Sequence, residues 1–239
     1  MARVILFDLD GTLLPVDTHH FVEESLKIMA QELADFIEPK RFLQAIWASI
    51  QQVVTNLDPH RTNEQVFKDS FIRLTGLHNP LFWRAVDRFY AEVFPTLQYL
   101  CQPTDLARKI TEEALSQGYR LVVATNPLYP APAIWMRMQW AGVAHVPFEW
   151  VTTYENSCFA KPNLEYYEEI CSILKVKPEE CLMVGNDMQE DMVVTQLGMT
   201  TYLVVDWLID RGQPCYKVDE RGSLDRLYDL LRKKQSIFA

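Results

Sequence analysis

The chain has 239 residues, of which 32 are acidic and 23 are basic, so its formal net charge is −9 at pH 7. This balance argues against a general affinity for nucleic acid, which needs clustered Lys and Arg, but it leaves room for a local site that binds a small anion. No apolar stretch of about 18 residues occurs, and the first apolar run is too short for a secretory signal. We therefore expect a cytoplasmic protein with no nucleic-acid partner and no membrane partner.

The first predicted element is a strand that ends in two carboxylates. The run from Arg3 to Phe7 is apolar after its first residue, as is typical of a buried strand in a parallel sheet, and Asp8 and Asp10 follow it just before Gly11. Open α/β sheets place their chemistry beyond such strand ends. Asp8 and Asp10 would repel each other unless a positive charge lay between them, so a divalent cation is the simplest partner.

Helical periodicity dominates the next segment, from about Thr18 to Phe94. Two apolar stripes have i, i+4, i+7 spacing there: Phe67, Phe71 and Leu74, then Phe82, Val86, Phe89 and Val93. Thr62 and Gln65 have the spacing of a capping box at a helix start, and Gly76 marks the end of that helix. We predict a bundle of about four helices in this segment.

Helices and strands alternate after Pro103. The predicted helices are Thr104–Gln117, Pro132–Trp140, Leu164–Lys175 with Asn163 as its cap, one that ends at Gly198, and one that Ser223 caps. The predicted strands are Tyr119–Ala124, Phe148–Thr152, Cys181–Gly185 and Thr201–Val205, the last clear strand. This alternation implies right-handed crossovers and an α/β fold with a parallel sheet.

Polar residues follow three of the predicted strands, including the first one, and are expected to converge on one edge of the sheet. The residues are Asp8, Asp10, Thr125, Asn126, Asp187 and Asp191. Lys161-Pro162 lies in a predicted loop between Asn126 and Asp187. Carboxylates, a hydroxyl, an amide and an ammonium at one sheet edge are suited to binding and transferring a phosphoryl group.

In this order and context, the four segments resemble the haloacid dehalogenase-like hydrolases. They are Asp8-Leu9-Asp10-Gly11-Thr12, Thr125, Lys161-Pro162, and Gly185-Asn186-Asp187 with Asp191. The resemblance implies a Rossmann-like, doubly wound parallel sheet formed by residues 1–16 and 96–239. It also implies that residues 17–95 form an inserted, all-helical cap.

The chemistry of a phosphate ester gives each residue type a role. Hydrolysis needs a positioned nucleophile, for which Asp8 is the candidate, and a proton donor to the leaving oxygen, for which Asp10 is the candidate. The resemblance implies Mg²⁺ bound by the Asp8 carboxylate, the Asp10 carbonyl and an acid of the fourth segment. It further implies that Thr125 and Asn126 bind the substrate phosphate and that Lys161 offsets its charge.

The fourth segment departs from the commonest spacing of the family, because Asn186 stands between Gly185 and the first Asp. Either Asn186 or Asp187 therefore fits the metal position. We favour Asp187, since a carboxylate binds Mg²⁺ better than a neutral amide and Asp187 keeps a four-residue step to Asp191. Asn186 and Asp191 are then expected to support the site, with Asp191 binding a metal water or orienting Lys161.

Within the family that the chain resembles, an Asp at position 10 implies phosphoryl chemistry in preference to carbon–halogen cleavage, which needs no acid there. We therefore predict a magnesium-dependent phosphatase that acts on a small phosphorylated metabolite through an aspartyl-phosphate. A sugar phosphomutase and a non-catalytic binding or regulatory protein of the same fold are the alternatives. His19 and His20 come soon after the first segment, so they are expected near the junction of cap and core, as substrate contacts or as an exposed helix start.

The cysteines indicate reduced thiols. Cys101, Cys158, Cys171, Cys181 and Cys215 are odd in number, widely spaced and lack a C-x-x-C pair, which disfavours a disulfide framework and a zinc site. Cys158 precedes Lys161 in a predicted loop. That position leaves open a reactive thiol, although an incidental small residue is the simpler interpretation.

Overall fold

A computed structural model describes residues 3–239, and Met1 and Ala2 of the predicted core lie outside the described residues. Six parallel strands form one sheet in the order β3-β2-β1-β4-β5-β6. The strands are β1 (Val4–Phe7), β2 (Arg120–Val123), β3 (Trp150–Val151), β4 (Cys181–Gly185), β5 (Thr200–Val204) and β6 (Glu220–Gly222). The prediction of a Rossmann-like α/β fold is confirmed.

The register of the sheet aligns the ends of its central strands. Phe7 of β1 pairs with Val123 of β2 on one side and with Val184 of β4 on the other. The segments that begin at Asp8, Ala124 and Gly185 therefore leave the sheet side by side. Since the strand order reverses at β1, the crevice between these strand ends is the expected ligand position of such a fold.

Four α-helices lie in the segment predicted to form the cap, residues 17–95. They are α1 (Thr18–Glu32), α2 (Pro39–Val54), α3 (Asn63–Thr75) and α4 (Pro80–Arg88). The capping box of Thr62 and Gln65 is present, and Gly76 ends α3 in a left-handed conformation with a φ of 75°. After α4 the chain continues as a π-helical turn, Phe89–Val93, and a 3-10 helix, Phe94–Leu100, because Pro95 has no N–H to donate to an α-helical bond.

The remaining α-helices are α5 (Asp105–Ser116), α6 (Ala131–Trp140), α7 (Leu164–Leu174) and α8 (Leu224–Lys233). The helix that ends at Gly198 is a 3-10 helix, Met192–Leu197, preceded by turns. Asn163 occupies the cap position of α7, as predicted, but its side chain donates to the carbonyls of Val54 and Ala160 and accepts from no helical N–H.

The prediction missed β6. Its sequence, Glu-Arg-Gly, has no apolar run, and the strand forms by pairing along Tyr202–Val204 of β5 at the edge of the sheet. Edge strands have one unpaired side that faces solvent, so charged side chains are tolerated there. An apolar pattern therefore cannot reveal such a strand.

Both faces of the sheet are buried. Ile5 and Phe7 of β1 pack in a cluster that continues into the helical segment through Phe21 and Phe42, whereas Val4 of β1 packs in a second cluster with residues of α7. This explains why β1 is apolar throughout. No helix among residues 3–239 combines the length and the apolarity that crossing a membrane requires.

The chain leaves the sheet for the helical segment and returns to it at one place. Val16 and Cys101 form an isolated antiparallel bridge, and the N–H of Gln102 donates to the carbonyl of Pro15 over 2.8 Å. The division into a core of residues 1–16 and 96–239 and a cap of residues 17–95 stays a prediction.

Candidate active site

Three of the predicted residues meet in a buried ion cluster at the strand ends. The Lys161 Nζ lies 2.8 Å from Asp8 Oδ1 and 2.6 Å from Asp191 Oδ1. The Lys161 and Asp191 side chains are each 1% exposed, and that of Asp8 is 11% exposed. Each ion therefore depends on the others, because an isolated charge at this depth would be strongly unfavourable.

Burial controls the protonation of this cluster. It raises the pKa of Asp8 against the opposing effect of Lys161, and it raises the pKa of Asp191 to about 7. Burial opposes the charge of Lys161, but Asp191 and Asp8 together raise its pKa well above 10.5. The site therefore has more carboxylate than its single ammonium neutralises, and an added cation would stabilise the ionised form of Asp8.

Asp10 has a partner that the sequence analysis missed. Its carboxylate pairs with the guanidinium of Arg137 on α6, which is 1% exposed and lies 4.4 Å from the ring centroid of Tyr129. The second carboxylate oxygen of Asp10, Oδ1, is buried and has no hydrogen-bond partner among the described residues. Arg137 is the single charged residue of the mostly apolar stretch Ala131–Trp140, and this was the signal that could have identified it.

The segment after β4 holds Asp187 and Asn186 in different environments. Both oxygens of Asp187 lie 2.8 Å from Nη1 of Arg211, and Oδ1 also accepts from the N–H groups of Gln189 and Glu190. Asn186 accepts from the Thr12 hydroxyl and donates to the Trp207 carbonyl over 2.6 Å. Both ends of the Asn186 amide are thus engaged within the protein.

Two glycines make room for these side chains. Gly11 has a φ of 80°, and a Cβ there would collide with the Asn186 amide. A Cβ on Gly185 would collide with the carboxyl group of Asp191, whose Oδ2 accepts from the Asp187 N–H over 3.0 Å. The close approach of the backbone to the Asn186 amide at Gly11 and to the Asp191 carboxyl group at Gly185 therefore requires glycine at both positions.

Thr125 and Asn126 follow β2 at the same edge. The backbone carbonyl of Thr125 accepts from the hydroxyls of Thr152 and Tyr166, each over 2.8 Å, which anchors this loop. The Asn126 amide donates to Glu190 over 3.0 Å, while its own oxygen is buried without a partner among the described residues. Burial, with a smaller contribution from Asp187, raises the pKa of Glu190 to about 7.

Cys158 lies in a loop, as predicted, but its environment disfavours the thiolate. Burial and the neighbouring Glu169 carboxylate raise the pKa of its thiol to about 11. The geometry therefore supports the simpler interpretation of an incidental residue, because thiolate formation controls cysteine reactivity.

The donor set suits a hard cation. Among residues 3–239, no three His, Cys, Asp or Glu side chains are grouped to hold a metal ion. The predicted set instead combines the carboxylates of Asp8 and Asp187 with the backbone carbonyl of Asp10, and Mg²⁺ prefers such oxygen donors together with water. Arg211 is the present counter-ion of Asp187, so a metal bound there would compete with this guanidinium.

A cavity of about 310 Å³ connects these residues to the helical segment. The charged end is lined by Asp8, Asp10, Lys161, Asp187, Glu190, Asp191 and Arg211. Side chains of helices α1 to α4 line much of the remainder, together with Tyr90, Leu128, Tyr129, Pro130 and Tyr154. His19 is exposed and lines the cavity, whereas His20 does not. The structure thus separates the two histidines that the sequence analysis treated together.

The chain belongs to the haloacid dehalogenase-like hydrolases, whose family model matches residues 2–193. This confirms the predicted family and the prediction of an enzyme. It is 37% identical to glyceraldehyde 3-phosphate phosphatase of Methanothermobacter thermautotrophicus, with 85% of this chain and 86% of that protein covered. It is 25% identical to pyrophosphatase PpaX of Anoxybacillus flavithermus, with 96% and 95% covered.

Solved structures share the fold. An HAD phosphatase from Thermococcus onnurineus superimposes with a TM-score of 0.59 at 20% identity, covering 96% of this chain and 97% of the other. An L-2-haloacid dehalogenase from Xanthobacter autotrophicus superimposes with a TM-score of 0.56 at 15% identity, covering 97% and 99%. Phosphatases and dehalogenases thus have this fold in common, and the chemistry must be argued from the site.

Proposed function

We propose that this protein is a magnesium-dependent phosphatase that hydrolyses a small phosphorylated metabolite through an aspartyl-phosphate. The observation that carries the proposal is the arrangement of Asp8 and Asp10. Asp8 sits at the aligned strand ends beside Lys161, and Asp10 has a buried oxygen without a protein partner. The phosphatase relative at 37% identity supports hydrolysis of a phosphate ester.

Asp8 and Asp10 divide the reaction between them. A carboxylate oxygen of Asp8 attacks phosphorus while the bond to the leaving oxygen breaks, and Asp10 protonates that oxygen to release the alcohol. Water then attacks the phosphorus of the aspartyl-phosphate and gives its proton to Asp10. This second step releases inorganic phosphate and returns both carboxyl groups to their starting states.

The surrounding residues hold the phosphoryl group and its charge. Lys161 contacts Asp8 directly, so its ammonium lies where the phosphoryl oxygens would approach. Thr125 and Asn126 line the same end of the cavity and can donate hydrogen bonds to those oxygens. Fixed donors of this kind stabilise developing charge without reorganisation during the reaction.

Mg²⁺ would be held by Asp8, the Asp10 carbonyl and Asp187, and it supplies positive charge beside the transferred phosphoryl group. Asp187 is the preferred ligand because both ends of the Asn186 amide already have protein partners. Asn186 and Asp191 support the site by positioning Thr12 and Lys161 respectively. In this proposal, the helices of residues 17–95 form the cap over a core of residues 1–16 and 96–239.

Release of phosphate from p-nitrophenyl phosphate tests the proposal. We expect turnover with Mg²⁺, no phosphate release in EDTA, and recovery of activity when Mg²⁺ is restored. Asp8→Asn should lower kcat at least about 1,000-fold, while Asp35→Asn, at an exposed position away from the site, should leave it unchanged. Phosphate release by Asp8→Asn within about tenfold of wild type would rule out the covalent route.

A further inference from the structure

The wall of the cavity beyond its charged end is apolar. Leu26 and Met29 of α1, Phe42 and Ile46 of α2, Phe71 of α3 and Phe82 of α4 line it, and all six are buried. These side chains come from four successive helices, and they enclose a space directly next to Asp8 and Asp10. Whatever is esterified to the phosphate would extend into this space.

Hydrogen-bonding groups are scarce on the helical wall. Within the described chain, no Asp, Glu, Lys or Arg of α1 to α4 lines the cavity. The polar groups that helix α1 does contribute, Thr18 and His19, lie at its first turn. Three tyrosines, Tyr90, Tyr129 and Tyr154, also line the cavity, but they lie outside helices α1 to α4. A polyol placed against the helical wall would leave hydroxyl groups without partners on that side, which is unfavourable, whereas an apolar group would gain by leaving water.

We propose that the leaving group is an apolar alcohol, alkyl or aryl, and that the substrate is therefore its monophosphate ester. This inference rests on the proposed phosphatase function and specifies its substrate class. The cavity of about 310 Å³ extends from the charged groups at the strand ends to the apolar side chains of the helices. The charged groups at the strand ends bind the phosphate, and the helices bind the alkyl or aryl group of the substrate.

Trp47 extends this apolar surface to the outside. It lines the cavity and is 52% exposed. An alkyl chain too long for the cavity would therefore meet an indole ring at its solvent side.

A series of n-alkyl monophosphates from ethyl to octyl, compared with glyceraldehyde 3-phosphate, tests the inference by phosphate release. Each buried methylene should raise kcat/KM about fourfold, so octyl phosphate should exceed butyl phosphate by at least about 50-fold. A rise with chain length supports the inference. A flat series, or a higher kcat/KM for glyceraldehyde 3-phosphate than for octyl phosphate, would overturn it.

Two variants of α2 locate the effect. Ile50 lines the cavity, and Leu43 is a half-buried residue of the same helix that does not line it. Ile50→Asn should lower the ratio of octyl to ethyl kcat/KM about tenfold, because it places an amide in the apolar wall. Leu43→Asn should keep that ratio. Equal changes in both variants would contradict this placement of the substrate's alkyl chain.

Calorimetric titration with n-alkylphosphonates separates failure of the inference from failure of the proposed function. If no ester is hydrolysed but octylphosphonate binds at least about 50-fold more tightly than butylphosphonate, the phosphatase proposal fails and the apolar site stands. If esters are hydrolysed and phosphonate affinity does not depend on chain length, the apolar leaving group is wrong. This binding measurement also serves if Ile50→Asn does not fold.

Discussion

The guanidinium of Arg137 on α6 forms an ion pair with the carboxylate of Asp10 in the loop after β1. Arg137 is 1% exposed, and its Nε also donates to the Ala133 carbonyl of its own helix over 3.3 Å. The pair thus links a helix on one face of the sheet to the loop that carries Asp8. It engages one oxygen of Asp10 and leaves the other without a hydrogen-bond partner among the described residues.

Arg137→Met should reduce both stability and turnover. Removing one partner of a buried pair leaves Asp10 uncompensated, so we expect the free energy of unfolding in urea to fall by about 3 kcal/mol. We also expect kcat to fall at least about tenfold with little change in KM, because Asp10 loses its orientation. Arg226→Met is the control, since its exposed pair with Glu220 should contribute less than about 1 kcal/mol.

The metal assignment predicts different magnesium requirements for two adjacent variants. Asp187→Asn should raise the Mg²⁺ concentration for half-maximal activity at least about tenfold, because it removes the charge of the proposed ligand. Asn186→Ala should raise it much less, since that side chain bonds to Thr12 and Trp207. Titration of phosphate release with Mg²⁺ measures both, and the reverse order would assign the metal to Asn186.

The sequence predicts the strand-end residues well because parallel strands impose a common edge. An apolar run followed by a carboxylate is visible in the chain at Phe7-Asp8, and the pairing of β1 with β2 and β4 brings Thr125 and Asp187 to the same edge. Nothing beyond the strand pattern and element order is needed for this convergence. Lys161, which contacts Asp8 from a loop, follows no strand, and the resemblance to the family at Lys161-Pro162 was needed to identify it.

Residues supplied by tertiary packing could not be predicted in the same way. Whether Arg137 faces Asp10 depends on the rotation of α6 against the sheet, and Arg211 reaches Asp187 from a loop without a motif. The apolar cavity likewise depends on gaps between helices, and its stripes of Phe residues look identical to ordinary core packing. Periodicity indicates which helix face is buried but does not show whether that face fills its space completely.

Cys158 should be alkylated slowly at neutral pH and faster as the pH rises. With a pKa of about 11, its thiolate fraction should increase about tenfold per pH unit between 7 and 10 and level off only above 11. Iodoacetamide labelling followed by peptide mass spectrometry measures this rate, with the exposed Cys215 as the internal reference.

Glu169→Gln should accelerate the labelling of Cys158 at pH 8, because the Glu169 carboxylate helps to raise the pKa of this thiol. Labelling of Cys215 should not change in this variant. If Cys158 reacted as fast as Cys215 at pH 7, the thiol would be activated by its surroundings, contrary to the burial that the structure shows.

His19 and His20 form a matched pair for testing the contact between helix α1 and the substrate. His19 lines the cavity, whereas His20 does not. The backbone N–H of His20 donates to the side chain of Asp17, the cap of α1. His19→Ala should therefore lower kcat/KM for the best substrate at least about tenfold, or roughly 1.4 kcal/mol of transition-state stabilisation. It should affect a small aryl phosphate much less, and His20→Ala should leave both substrates within about twofold. Equal losses in the two variants would show that the start of α1 acts through stability and that neither imidazole contacts the substrate.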